Sequence, residues 1–153
     1  MSYKSLITAL LLILGSTGTA LAAGTSSDST SPPEQLSTYD RAVQAVKEGD
    51  YRLGLRLLDE VTTAQPRNAD AWNYMGFSYR QLNDYDQALA AYEKALAINP
   101  DHRGANEYLG ELYLKMGKVD KAKQRLEVLD KACFFGCEEY DELKAAIAAY
   151  KSG

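Results

Sequence analysis

Residues 69–102 read ADAWNYMGFSYRQLNDYDQALAAYEKALAINPDH, and shifting this stretch along the chain organises most of the sequence. Moved by 34 positions, Pro66 falls on Pro100, Asp50-Tyr51 on Asp84-Tyr85, Tyr74 on Tyr108, Gly76 on Gly110, Tyr79 on Tyr113 and Ala88 on Ala122. The matches are spread over the whole period, which marks an internal repeat rather than a local cluster. Within the stretch, Tyr85, Leu89, Tyr92 and Leu96, joined by Ala88 and Ala95, recur at three- and four-residue steps, the spacing of one helix face. Leu82-Asn83-Asp84 parts this stripe from the helical pattern before it. Glu48-Gly49-Asp50 and Met116-Gly117-Lys118 stand at the same place one period away on either side. Gly and Asn accept the left-handed backbone that closes a helix, and Pro100 disfavours helix at the residue before it. Each period is therefore predicted to be a helical hairpin. One hairpin cannot bury its own apolar face, so copies must stack.

Trp72, Met75-Gly76, Tyr79, Ala88, Tyr92, Ala95 and Pro100 stand at the spacing of the tetratricopeptide repeat, which residues 69–102 closely resemble. Residues 35–68 resemble a degenerate copy, with Ala42 for the glycine, Gly54 for the alanine, then Leu58, Val61 and Pro66. On this reading the first copy has lost its Gly and Ala packing signals. Residues 103–136 keep Leu109-Gly110, Tyr113, Ala122, Leu126 and Leu129, but carry Asn106 in place of Trp and lack the closing proline. The resemblance implies an all-α, right-handed solenoid of three hairpins within residues 34–151.

A last helix is predicted over residues 138–150. Tyr140, Leu143, Ala146, Ile147 and Tyr150 share one face, and Glu142, Lys144 and Lys151 the other. That division suits a cap which covers the end of a stack and presents a solvated back. Seven helices are expected in all. Cys133 and Cys137 are the only cysteines. In an exported chain such a close pair reads first as a structural disulfide, pinning the third hairpin to the cap. Buried free thiols and a thiol redox centre are the alternatives, although redox enzymes favour C-x-x-C.

The export reading comes from the N-terminus. Lys4, the apolar run Leu6–Leu14 and the small-residue stretch ending Ala20-Leu21-Ala22 have the order of a secretory signal peptide. Residues 1–22 are expected to be removed. The apolar core is too short for a spanning segment, so no stable membrane anchor is expected after cleavage. Residues 23–33, small and polar up to Pro32-Pro33, read as a flexible leader. The whole chain carries a formal charge of −4, from 17 Lys+Arg against 21 Asp+Glu. An acidic chain of mixed sign offers no nucleic-acid footprint and no basic membrane face.

Catalytic chemistry has no support in the sequence. His102 is the single histidine, expected at a surface turn, and has no metal-ligand companions. There is no Gly-rich phosphate loop and no nucleophile motif, and no pair of carboxylates is spaced to converge in a cleft. No cofactor or metal is expected. What remains is the groove that the family's geometry forms from the first helix of each hairpin. That resemblance implies groove-facing Tyr39, Asp40 and Val43, then Asn73, Tyr74, Phe77 and Arg80, then Glu107, Tyr108 and Glu111. The Lys/Asn/Arg clamp by which some family members hold a terminal carboxylate is missing: Tyr39, Val43, Tyr74, Gly104 and Tyr108 occupy the corresponding positions. The groove would suit a peptide or protein segment, with tyrosine area for affinity and polar tips for register. Tyrosines packed between neighbouring helices are the other reading of the same residues. A scaffold in a bacterial periplasm is the expected role, and a homo-oligomeric structural element the alternative. The intact mass of the protein recovered from its native envelope, without reductant, should correspond to a chain beginning at Ala23 and lacking two thiol hydrogens. A full-length or fully reduced mass would refute the export reading.

Overall fold

The computed structural model describes residues 36–151, so the expected signal peptide and leader lie outside the described residues. Among the described residues there are seven helices and no strand. They are α1 (Thr38–Lys47), α2 (Tyr51–Ala64), α3 (Ala69–Gln81), α4 (Tyr85–Ile98), α5 (Arg103–Lys115), α6 (Val119–Ala132) and α7 (Glu138–Lys151). The pairs α1/α2, α3/α4 and α5/α6 pack as hairpins, and α7 lies against both α5 and α6.

The three tight turns are built alike. Gly49, Asn83 and Gly117 take positive φ values of 84°, 62° and 72°. The following amide reaches back to the preceding helix: Asp50 N to Ala45 O at 2.9 Å, Asp84 N to Tyr79 O at 2.9 Å, Lys118 N to Tyr113 O at 2.7 Å. These bonds satisfy carbonyls that a helix end leaves open. Asp50 and Asp84 also cap the next helix, accepting from Leu53 N and Gln87 N. One aspartate thus ends one helix and starts another, which fixes the hairpin angle.

The longer connections share a different device. Trp72 Nε1 donates to Pro66 O at 3.0 Å, and Asn106 Nδ2 donates to Pro100 O at 2.9 Å. Asn106 stands one period after Trp72 and lacks its bulk, yet it supplies the same N–H to the same proline carbonyl. Arg125 Nη1 in turn donates to Asn106 Oδ1 at 3.2 Å. His102, expected at a surface turn, is largely buried as the N-cap of α5. Its Nδ1 accepts from Ala105 N at 3.2 Å, and its Nε2 lies 3.0 Å from Asp70 Oδ1 at the start of α3. An Nδ1 that accepts leaves Nε2–H to donate, so His102 ties the third hairpin to the second.

Close approach of helices sets the packing. A Cβ on Gly76 would sit 2.6 Å from the ring of Tyr92, which is fully buried. The first hairpin keeps this closeness by other residues, contrary to the expectation that its packing signals are lost. Ala42 and Leu58 are fully buried in one cluster, and a Cβ on Gly54 would lie 2.5 Å from Val46 Cγ2. A smaller partner, Leu58, leaves room for the methyl that Tyr92 would exclude. In the third hairpin a Cβ on Gly110 would lie 2.5 Å from Leu143, so there the bare backbone receives α7. Leu143 and Ile147 are buried as expected of a cap, whereas Tyr150 is exposed. Glu142 is exposed, as expected of the solvated back, and it also borders a cavity that reaches α3 and α5. Its position follows from how α7 leans on α5, which the pattern of α7 alone does not specify.

Cys133 ends α6 and Cys137 precedes α7, with their sulfurs at bonding distance and their Cα atoms 5.6 Å apart. Gly136, at φ +84°, makes the turn between them.

Gly76→Ala should lower stability by about 1–3 kcal/mol, the usual cost of overpacking a core. Adding Tyr92→Leu, which recreates the Ala42/Leu58 combination, should restore part of that loss. Urea denaturation of the single and double variants measures the coupling, and strictly additive losses would contradict the steric account.

Candidate binding groove

Three adjoining cavities lie along α1, α3 and α5. The first, of about 590 Å³, is lined by Tyr39, Asp40, Val43, Gln44, Lys47, Glu48 and Tyr74. The second, about 240 Å³, is apolar and aromatic, with Val46, Tyr51, Tyr74, Phe77 and Tyr108 beside Lys47. The third, about 280 Å³, has Asn73, Tyr74, Gly104, Glu107 and Tyr108 on one side and Glu138, Glu139 and Glu142 of α7 on the other. Tyr74 borders all three and Tyr108 two of them. The tyrosines are therefore half-buried, and they pack as well as face the groove. Tyr39 meets Tyr74 edge-on at 6.2 Å between ring centroids, and Phe77 meets Tyr108 at 5.2 Å. Burial raises the phenol pKa of Tyr39, with Asp70 adding to it, and burial with Glu107 nearby does the same for Tyr108. Both are pushed up to about 12, so both keep their hydroxyl hydrogens at physiological pH.

Arg80, Asn73 and Glu107 are more enclosed than a surface groove implies, at 7 %, 6 % and 3 % exposure. Arg80 pairs through Nη1 with Glu111 Oε2 of the next hairpin. Its guanidinium carbon lies 5.4 Å from the Phe77 ring and 5.2 Å from the Tyr108 ring, so the charge is held between two aromatic faces. Burial raises the pKa of the Tyr92 phenol behind it, and the neighbouring guanidinium offsets part of that effect. Arg80 is thus a strut under the groove floor, with Phe77 and Tyr108 as its cladding.

Glu107 is unusual among the carboxyls. Burial first, then the facing Glu142 and the charges of Glu111 and Glu139, push it up to about 9. At neutral pH it holds a proton that it can donate to Glu142.

Tetratricopeptide-repeat profiles match residues 79–147 and 57–90. The chain belongs to the tetratricopeptide-repeat family. Tetratricopeptide repeat protein 37 of Xenopus laevis is 37% identical over 79 residues, which is 52% of this chain and 5% of that protein. The chain spans less than half the length of the curated relatives it matches. Among solved structures, the first tetratricopeptide domain of Spaghetti (RPAP3) bound to an HSP90 peptide aligns with a TM-score of 0.66 at 19% identity. That alignment covers 76% of this chain and 91% of that one. PcrH, in complex with the chaperone-binding region of PopD, aligns at 0.67 with 14% identity, over 75% and 89% of the two chains. At such identities these structures show the shared fold. Proteins of this family generally serve as non-enzymatic interaction modules, and both structural neighbours hold a peptide or protein segment.

Within this tetratricopeptide frame, positions 39, 73 and 107 are one repeat site, carrying Tyr, Asn and Glu in turn. Positions 43, 77 and 111 are another, carrying Val, Phe and Glu. The groove therefore changes from aromatic and apolar at the first hairpin to acidic at the third. Sequence reading missed Glu138, Glu139 and Glu142 as groove residues, because a cap helix was not expected to border the groove. A sequence signal was available: Gly110 marks where α7 can press onto α5. It also missed Phe134 and Phe135, which are 87 % and 96 % exposed between the cysteines.

Between the unfolded value of 4.5 and the folded value of about 9, native Glu107 binds a proton that the unfolded chain has lost. Its contribution to stability therefore falls as pH rises through that window. Glu107→Gln keeps a donor without titrating, so the variant should exceed the parent in stability by about 1–3 kcal/mol at pH 8. The difference should shrink toward zero near pH 4. Thermal melts of both proteins across this range test it, and a constant difference would show that Glu107 is already charged in the fold.

Proposed function

We propose that this protein is a non-enzymatic interaction scaffold that holds an extended or helical segment of a partner protein along α1, α3 and α5. The observation that carries the reading is the continuity of the groove: one residue, Tyr74, borders all three adjoining cavities. Half-buried tyrosines with fixed rings present large contact area at little entropic cost, the property of interface anchors. The cavities are open troughs rather than an enclosed substrate chamber. They hold no nucleophile set beside a general base, which acyl or phosphoryl transfer needs. The segments held by the RPAP3 domain and by PcrH support the same mode of use.

The setting we infer is the bacterial periplasm or envelope. Support comes from the signal-peptide order of residues 1–22 and from Cys133–Cys137, read as a structural disulfide of an oxidising compartment. On loop-entropy grounds so short a bridge contributes about 2 kcal/mol. Self-association is a second reading, favoured by the solvent-facing pair Phe134 and Phe135, whose rings meet edge-on at 5.0 Å. Light scattering on the purified protein separates the two, since a monomer at high concentration removes the second.

Tyr74→Ala and Tyr108→Ala together should weaken capture of the native partner by about tenfold or more, as loss of central aromatic anchors does. Circular dichroism should show the helical content retained. Partner capture in crosslinked envelope extracts, undiminished in the folded double variant, would refute the groove as the binding face.

A further inference from the structure

The cavity at the third hairpin is lined by four carboxyls, those of Glu107, Glu138, Glu139 and Glu142. Two of these, Glu138 and Glu139, also suit the N-terminal turn of α7. That role does not account for Glu142, a turn further on, or for Glu107, buried on a different helix. Among the described residues none of the four pairs with a base. Arg80, the nearest buried cation of the groove, is engaged by Glu111 instead. With Glu107 protonated, the site still gathers the carboxylates of Glu138, Glu139 and Glu142 in a partly enclosed space without a counter-charge of its own.

A second observation points the same way. Asn73, itself almost fully buried, borders this cavity, and its Oδ1 is buried with no hydrogen-bond donor. A buried acceptor left unpaired is costly, and it marks a place where a donor fits. A side chain at Gly104 would begin 3.2 Å from Asn73 Nδ2, so the bare glycine keeps the amide at the cavity wall. The lining thus sets the carboxyls of α5 and α7 and the unpartnered Asn73 amide oxygen around a cavity of about 280 Å³.

We propose that this end of the groove receives a basic side chain, lysine or arginine, from the segment that the groove holds, an assignment resting on the groove being the binding face. The occupant is an organic cation rather than a metal ion for a geometric reason. Among the described residues, the one group of three ligand atoms within 4.8 Å of one another is Cys133, Cys137 and Glu139, and its two sulfurs are at bonding distance. The four carboxyls do not gather on a point; they stand around a volume. An ammonium or guanidinium on a flexible stem, with several N–H donors spread in space, matches such a lining. The stem would pass Tyr74 and Tyr108, whose rings continue into the apolar cavity. The polarity is opposite to that of a carboxylate clamp, and it gives the bound segment a register: apolar residues toward α1, a base toward α7.

The experiment is selection of a displayed random peptide library on the full chain, with three variants as comparators. The folded Glu139→Gln/Glu142→Gln double variant removes charge at exposed or half-buried positions, and Tyr74→Ala removes the shared aromatic. The proposal expects Lys or Arg at one register of the selected peptides. It also expects affinity about tenfold or more lower in the double Gln variant, and a similar loss when that base is replaced by norleucine. Peptides that select apolar residues alone, or that bind both proteins equally while depending on Tyr74, would overturn the basic subsite and leave the groove reading intact. A library that yields no Tyr74-dependent binder would overturn both. Calcium chloride alone, added without peptide, should not shift the melting temperature. A shift lost in the double Gln variant would show a metal site and overturn the assignment. In a Glu107→Gln variant, which removes no charge at neutral pH, the base preference should persist along with the fold, and its loss there would overturn the assignment to the α7 carboxylates.

Discussion

The packing of a fully buried aromatic ring against bare backbone holds this structure together. Tyr92 of α4 lies where any side chain on residue 76 would stand, and its ring lies 6.5 Å from that of Tyr108 on α5. One residue therefore sets the spacing inside the middle hairpin and the position of the next. Interiors at native density do not absorb an extra methyl there without displacement. The other hairpins meet the same constraint with different pairs, Ala42 with Leu58 and Gly110 with Leu143. The exchange at Gly110 has a functional consequence, because the helix pressed onto the bare backbone is α7. Its first turns then become a wall of the groove.

Charge in the groove follows from that arrangement. Arg80 is held by Glu111 and by the faces of Phe77 and Tyr108, so it stiffens the contact between the second and third hairpins. With that cation engaged by Glu111, no base pairs with Glu107, Glu138, Glu139 or Glu142 among the described residues, and Glu107 keeps its proton. Folding here tolerates an unfavourable cluster, and such a cluster is relieved by a ligand that brings positive charge. The aromatic end and the acidic end are two parts of one surface, joined at Tyr74.

Much of the fold was readable before any coordinates. The helical stripes, the turn residues Gly49, Asn83 and Gly117, and the closing prolines all act locally, within one helix or one turn. What was not readable depends on partners distant in the chain. Asn106 looked like a loss of Trp72, because the shared property is a single N–H aimed at a proline carbonyl, not size or hydrophobicity. The first hairpin looked degenerate because Ala42 and Gly54 were compared with a pattern rather than with Leu58 and Val46 across the interface. That the exposed Glu142 also borders the groove was not readable, because helical periodicity fixes faces relative to one another, not relative to the rest of the molecule. The groove residues themselves follow from the family resemblance. That Arg80 reaches Glu111, and that Glu107 faces Glu142, needed the stacked geometry.

The claim on which this account turns is that partners bind on the side formed by α1, α3 and α5. A photo-crosslinking amino acid placed at Val43, which borders the groove, and separately at Ala97, exposed on α4, tests it in the cells that make the protein. Ultraviolet exposure should yield a defined adduct with another protein from position 43 and none from position 97. The same adduct from position 97, with none from position 43, would contradict it.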